Sequence, residues 1–258
     1  MYRRVIERRR HLYLNAMGLT LWQRREGPGT LSAHETRGGV ETATQVVSGT
    51  ASPEAEGDEN AVVSRGGGKA AELDWQALQQ KVKGCNDCAL RAGCTQTVFG
   101  VGDPRADLLV IGEAPGADED RQGEPFVGRA GQLLNGMLLA MGYKREAVFI
   151  ANIVKCRPPN NRDPQPDEAL SCEPYLLRQI ELIAPKIILA VGRISAQNLL
   201  KSDIAVGKLR GRIHSFGNLN IPLVVTYHPA YLLRSPEQKA KAWEDLQLAL
   251  SVLGGATA

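Results

Sequence analysis

The chain has 258 residues, 43% of them hydrophobic and 23% charged, with a formal net charge of +3. This balance argues against disorder throughout, and no run reaches the roughly 20 apolar residues that a bilayer-spanning helix needs. The mild positive excess neither demands nor excludes nucleic acid, because a local basic face matters more than the sum.

The start, MYRRVIERRRHLYLNAMGLTLWQRR, is arginine-rich and then briefly apolar. Asn15 interrupts the apolar part and no small-residue cleavage site follows, so a cytoplasmic protein is expected, with residues 1–26 as a basic segment able to form a short amphipathic helix. Residues 27–71, rich in Gly, Ser, Thr, Ala and Glu, lack apolar periodicity and are expected to be a disordered linker. Residues 72–258 remain for one folded domain.

Leu73, Trp75, Leu78 and Val82 recur at helical spacing ahead of Gly84, so a helix should deliver Cys85 and Cys88. Four continuously apolar runs follow, ADLLVIGE (106–113), AVFIANIV (147–154), KIILAVG (186–192) and PLVVTYH (222–228). Helical patterns at 130–142, 166–184, 195–201 and 236–253 separate or follow them. Unbroken apolar strands alternating with helices predict an α/β fold, a three-layer α/β/α sandwich around a four-stranded parallel sheet. Such sheets bind ligands beyond the carboxyl ends of their strands. The residues just past each run are therefore the candidates.

After the first run comes GEAPGADEDRQGEPFVGRAGQLL (112–134). Gly112 and Gly116 allow a ligand close to the backbone, but the spacing matches neither a dinucleotide nor a P-loop fingerprint. Glu113, Asp118, Glu119 and Asp120 read as a solvated acidic face. Phe126 has two readings, a stacking platform for a base or a core anchor for its loop. Asn152, an amide inside an apolar strand, is either a turn cap or a reader of a pyrimidine edge. Cys85, Cys88, Cys156 and Cys172 form a C-x2-C pair and a C-x15-C pair that can meet at one metal or one iron–sulfur cluster, and spacing does not separate zinc from iron. Cys94 is left over as a spare or structural thiol. Lys208, Arg210 and Arg212 in KLRGRIH are cations suited to backbone phosphates. His228 ends the last strand, with Pro229 setting its exit, and would face the same crevice as Glu113 and Asn152. Leu232 and Leu233 beside Arg234 are either apolar wedges for a base stack or the start of a helix packed inside.

The three segments GEAPGADEDRQGEPFVGRAGQLLN, NIVKCRPPNNRDP and HPAYLLR together resemble the family 4 uracil-DNA glycosylases, the iron–sulfur members of their superfamily, over a stretch from about Leu78 to Leu250. The resemblance implies a monofunctional enzyme that flips deoxyuridine out of DNA and hydrolyses its glycosidic bond. It implies a [4Fe-4S] cluster on Cys85, Cys88, Cys156 and Cys172, with a structural role. Phe126 would stack on the uracil, Asn152 would read its edge, and the backbone around Gly112, Glu113 and Ala114 would contact it. His228 would stabilise the departing base, and Leu232, Leu233 and Arg234 would enter the duplex. Many relatives in the wider superfamily carry Asp or Asn where this chain has Ala114, which moves the water-positioning role to Glu113. Uracil-containing DNA is the expected partner, with no membrane association and a monomeric state. Two competing readings are a DNA-binding cluster protein that no longer cuts and a zinc-stabilised nucleotide-binding protein.

Overall fold

The computed structural model describes residues 70–255. The segments expected over 1–26 and 27–71, apart from the last two residues of the second, lie outside the described residues. Among the described residues six strands form one sheet: β1 (Val101–Gly102), β2 (Leu108–Gly112), β3 (Phe149–Asn152), β4 (Ile187–Val191), β5 (Ile213–Phe216) and β6 (Ile221–Thr226). Their order is β1-β3-β2-β4-β6-β5.

β3, β2, β4 and β6 pair in parallel and are the four apolar runs of the sequence. The expected four-stranded sheet is enlarged by β1 and β5, which pair antiparallel at its two edges. β1 has only two residues, too few to show a period. β5 alternates exposed and half-buried positions and overlaps the segment read as a basic loop.

Nine α-helices are described: α1 (Trp75–Lys83), α2 (Leu90–Gly93), α3 (Ala117–Gln122), α4 (Arg129–Met141), α5 (Pro166–Ile183), α6 (Arg193–Leu200), α7 (Val206–Leu209), α8 (Pro229–Arg234) and α9 (Lys239–Gly255). The parallel strands alternate between two cores, because successive side chains leave opposite faces of a sheet. Leu109, Ile111, Phe149 and Ala151 join one core with Leu78 of α1, Ile180 of α5 and Ala196 of α6. Leu108, Val110, Ile150 and Leu189 join the other with Leu134 of α4, Leu232 of α8 and Leu246 of α9. Helices on both faces explain why these strands carry no polar alternation, and they make the expected three layers.

Local chemistry sets where the functional helices begin. The Asp74 side chain accepts from the Ala77 N–H at 2.8 Å and starts α1. Pro166 fills the first position of α5, and Glu168 accepts from the Gln165 N–H at 2.8 Å while Arg162 grips both its oxygens at 2.8 and 2.6 Å. This fixes the helix that carries Cys172. Because the chain adds β3 on one side of β2 and β4 on the other, the strand order reverses at β2. The crevice past its carboxyl end is the position such sheets use for ligands.

Candidate active site and cysteine cavity

β2 ends at Gly112 and β3 ends beside it at Asn152, in register. A methyl group placed on Gly112 would stand 2.5 Å from Asn152 Oδ1 and 2.6 Å from Phe126 Cζ. The amide and the ring therefore meet over a backbone position that tolerates no side chain. The Phe126 and His228 rings face each other with centroids 5.6 Å apart and planes 31° apart. Gly192, just past β4, lies against His228, since a methyl there would lie 2.9 Å from the His228 Cβ. Four parallel strand ends thus converge on one small space.

Asn152 is buried at 2% exposure, and its Oδ1 has no hydrogen-bond partner among the described residues. An acceptor left unpaired in the interior is destabilising, and it points to a ligand that donates to it. His228 caps α8, its Nδ1 accepting from the Ala230 N–H at 3.1 Å. The neutral ring must then carry its proton on Nε2. Burial, aided by the Arg234 charge, pulls its pKa down to about 4, so the ring is neutral near pH 7.

Phe126 sits at φ 55°, in the left-handed region that β-carbon sterics disfavour. Its loop is held there by contacts. Glu119 accepts from the Val127 and Gly128 N–H groups at 2.9 and 3.2 Å and from the Gly116 N–H at 3.1 Å. Arg145 donates to the Phe126 carbonyl at 3.3 Å and to the Pro125 carbonyl. Gly131 is required because a methyl there would fall 1.8 Å from the Phe126 carbonyl oxygen. Asp120 is buried, accepting from the Thr95 N–H at 2.9 Å and its hydroxyl at 2.7 Å. Glu119 and Asp120 are thus internal braces, which corrects their reading as a solvated face. Arg145 lay outside every motif and carried no sequence signal.

Glu113 follows Gly112 at the crevice, with Ala114 half-buried after it. Burial, then the nearby Asp163 carboxylate, push its pKa up to about 7, against the opposing charge of Arg193. Arg193 ion-pairs with Asp163. Both partners were missed as individual residues, although Arg193 directly follows the run KIILAVG and Asp163 stands in NNRDP.

HPAYLLR is not a loop. Pro229 starts the short helix α8, and its leucines divide between the two readings. Leu232 is fully buried and belongs to the core, so it cannot serve as a wedge. Leu233 is 42% exposed, and Arg234 beside it is exposed. Arg210 is also reassigned: it pairs with Asp245 at 3.0 Å and Glu244 at 3.1 Å and lies over the Tyr227 ring. Its charge ties the start of the β5 segment to α9 rather than standing free for phosphate. Lys208 remains exposed on α7.

Cys85, Cys88, Cys156 and Cys172 line one small cavity, walled by Leu90 and Tyr175 among others. The Asp87 N–H points to Cys85 Sγ at 3.5 Å and the Lys155 N–H to Cys172 Sγ at 3.3 Å. No group of three or more His, Cys, Asp or Glu is set around a single metal ion among the described residues. Cys94 is buried and contacts Arg91, with its Sγ 3.8 Å from the Arg91 carbonyl.

A family model described as the uracil DNA glycosylase superfamily matches residues 99–247. The chain is 40% identical over 182 residues to a type-4 uracil-DNA glycosylase of Pyrobaculum aerophilum, covering 68% of this chain and 93% of that protein. It is 40% identical over 176 residues to one from Archaeoglobus fulgidus, covering 66% and 88%. It is 44% identical over 177 residues to one from Saccharolobus solfataricus, covering 66% and 82%.

The two leucines of α8 should separate in a stability assay. Leu232→Ala should lose about 2–5 kcal/mol through the cavity it leaves, and Leu233→Ala about 0.5 kcal/mol or less, both read from urea unfolding. Equal losses would contradict the division of the pair.

Proposed function

This chain belongs to the uracil DNA glycosylase superfamily, and on that premise we propose that it takes deoxyuridine out of the DNA stack and hydrolyses the bond between uracil and sugar, leaving an abasic site. The observation that carries the reading is the unpartnered Asn152 Oδ1 at the meeting point of Phe126 and His228. Uracil offers an N3–H donor beside the O4 acceptor, and one amide satisfies both. Cytosine presents the reverse pair, so the same amide leaves it unsatisfied. Phe126 supplies the flat face, at a position where its strained backbone is braced from three sides.

Breaking the bond sends negative charge onto the leaving base. His228, neutral and protonated on Nε2, is a donor for that charge, and it needs no rearrangement because Nδ1 is already fixed by the Ala230 N–H. A preorganised donor of this kind is worth about 3 kcal/mol, or roughly 10²-fold in rate. Glu113 as a carboxylate orients the attacking water. The cation-like sugar left by bond breaking is reactive in its own right, so this contribution is the smaller one. Exposed Leu233, Arg234 and Lys208 form the DNA-facing set.

The cysteine cavity fits a [4Fe-4S] cluster. Four thiols line one cavity, two of them already receive backbone N–H donors, and among the described residues no three of them are set around a single ion, as a zinc site with four sulfurs about 2.3 Å from one point would require. When bound, the cluster would staple α1's exit, the β3 exit and α5 together. Among the described residues no helix is long and apolar enough to cross a membrane. The free thiols support the cytoplasmic placement, and a monomer is the simplest state for a site built from one chain.

Incubation of the purified chain with a uracil-containing duplex, followed by alkali, should give strand scission at the uracil. An intact strand would reject the glycosylase reading. The same preparation should be brown and contain iron and sulfide; a colourless zinc protein would reject the cluster alone.

The two side chains should also separate in single-turnover assays. His228→Ala should slow excision about 10²–10³-fold, and Glu113→Gln by less. Because Glu113 is held near 7, its carboxylate population grows as pH rises through 7, so excision should rise over that interval. His228 stays neutral throughout it, with a pKa near 4. Glu113→Gln should flatten the rise. A rise that persists in that variant would remove Glu113 from the role.

A further inference from the structure

Lys155 stands between the base-reading Asn152 and the cysteine Cys156, and no role assigned above uses it. It is 2% exposed. Its Nζ donates to the Asn152 carbonyl at 2.9 Å and to Gln179 Oε1 at 2.7 Å. Gln179 passes the link on, its Nε2 donating to the Phe99 carbonyl at 3.0 Å. The main chain of Lys155 is held as well, its N–H by Cys172 Sγ at 3.3 Å and its carbonyl by the Val98 N–H at 2.7 Å.

The position of the first bond gives it meaning. β1 pairs with β3 only at Phe149 and Ile150, so edge pairing has ended two residues before Asn152. The strand end that aims the Asn152 amide is therefore fixed on that side by a lysine side chain instead of a neighbouring strand. A buried ammonium is a costly way to bind one carbonyl unless the carbonyl has to stay where it is. The same lysine reaches α5 at Gln179, two turns after Cys172 on that helix.

We propose that Lys155 is a positioning residue that locks the Asn152 strand end to the cysteine-bearing helix α5, so that the amide is held in register for the flipped base. The proposal rests on the uracil-excising reading of the crevice. It assigns Lys155 no contact with the base. Loss of its two side-chain bonds should let the strand end shift while the sheet and the cysteine cavity stay in place.

The test uses the full-length, cluster-loaded protein and its Lys155→Met variant. Two duplexes are compared in binding, one with a non-cleavable 2′-fluoro-deoxyuridine and one with an abasic-site analogue. Their affinity ratio reads base recognition apart from DNA binding. For Lys155→Met the ratio should fall about tenfold, and single-turnover excision about 10–100-fold, as expected for a reading group displaced by a fraction of an ångström to an ångström. Iron content and affinity for the abasic duplex should match the parent chain. Gln179→Met, which removes the second anchor and leaves the lysine in place, should lower the ratio in the same direction by a smaller factor, and it serves where Lys155→Met does not fold.

An unchanged ratio in both variants overturns the proposal. So does loss of iron and of abasic-duplex binding in step with activity, which marks a merely structural lysine. Failure of the parent chain to release uracil rejects the underlying reading and the proposal with it, whereas an active parent with indifferent variants rejects only the proposal.

Discussion

The absence of a side chain at Gly112 is the constraint on which the rest of the site depends. β2 delivers this residue to the centre of the sheet's carboxyl edge, where the strand order reverses. The bare backbone there lets the Asn152 amide and the Phe126 ring approach the same point, each within 2.6 Å of where a methyl would be. His228 closes the space from the end of β6. The chemistry of the crevice is thus a consequence of sheet topology and of one missing carbon atom.

Holding these groups in place requires a surrounding layer that spends stability on order. Phe126 in a left-handed conformation is disfavoured by about 1 kcal/mol or more, and the Glu119 carboxylate, the Arg145 guanidinium and the close packing of Gly131 offset it. Around Glu113, Asp163 and Arg193 set a local charge balance that keeps its carboxyl half-protonated near neutrality. Below the crevice, Lys155 and Gln179 replace the missing edge strand. Glu119, Arg145, Lys155 and Gln179 are buried or half-buried polar groups with defined partners, the condition under which such groups rigidify a site.

Much of this could be read from the residues alone. The four parallel strands were legible because burial on both faces leaves unbroken apolar runs, and Asn152 was visible because an amide interrupts one of them. β1 and β5 were not, since a two-residue bridge has no period and an exposed edge strand carries basic and polar residues. α8 stayed one of two readings because six residues are too few to display a helical stripe, so Leu232 and Leu233 looked alike although one is core and the other surface. Arg210 looked free because its partners, Glu244 and Asp245, lie more than 30 residues away in sequence. The acidic run at 118–120 looked solvated for the same reason: the backbone N–H groups that Glu119 and Asp120 bind leave no mark in the sequence. Long-range polar pairing is what local patterns fail to encode.

The most direct measurement is single-turnover excision of uracil by Gly112→Ala, with iron content and affinity for an abasic duplex recorded on the same protein. The added methyl must displace either the ring or the amide, and excision should fall by about 10² or more while the other two quantities hold. Excision near the parent rate would show that Asn152 and Phe126 do not share the space over Gly112 during the reaction, and the site as described here would be wrong.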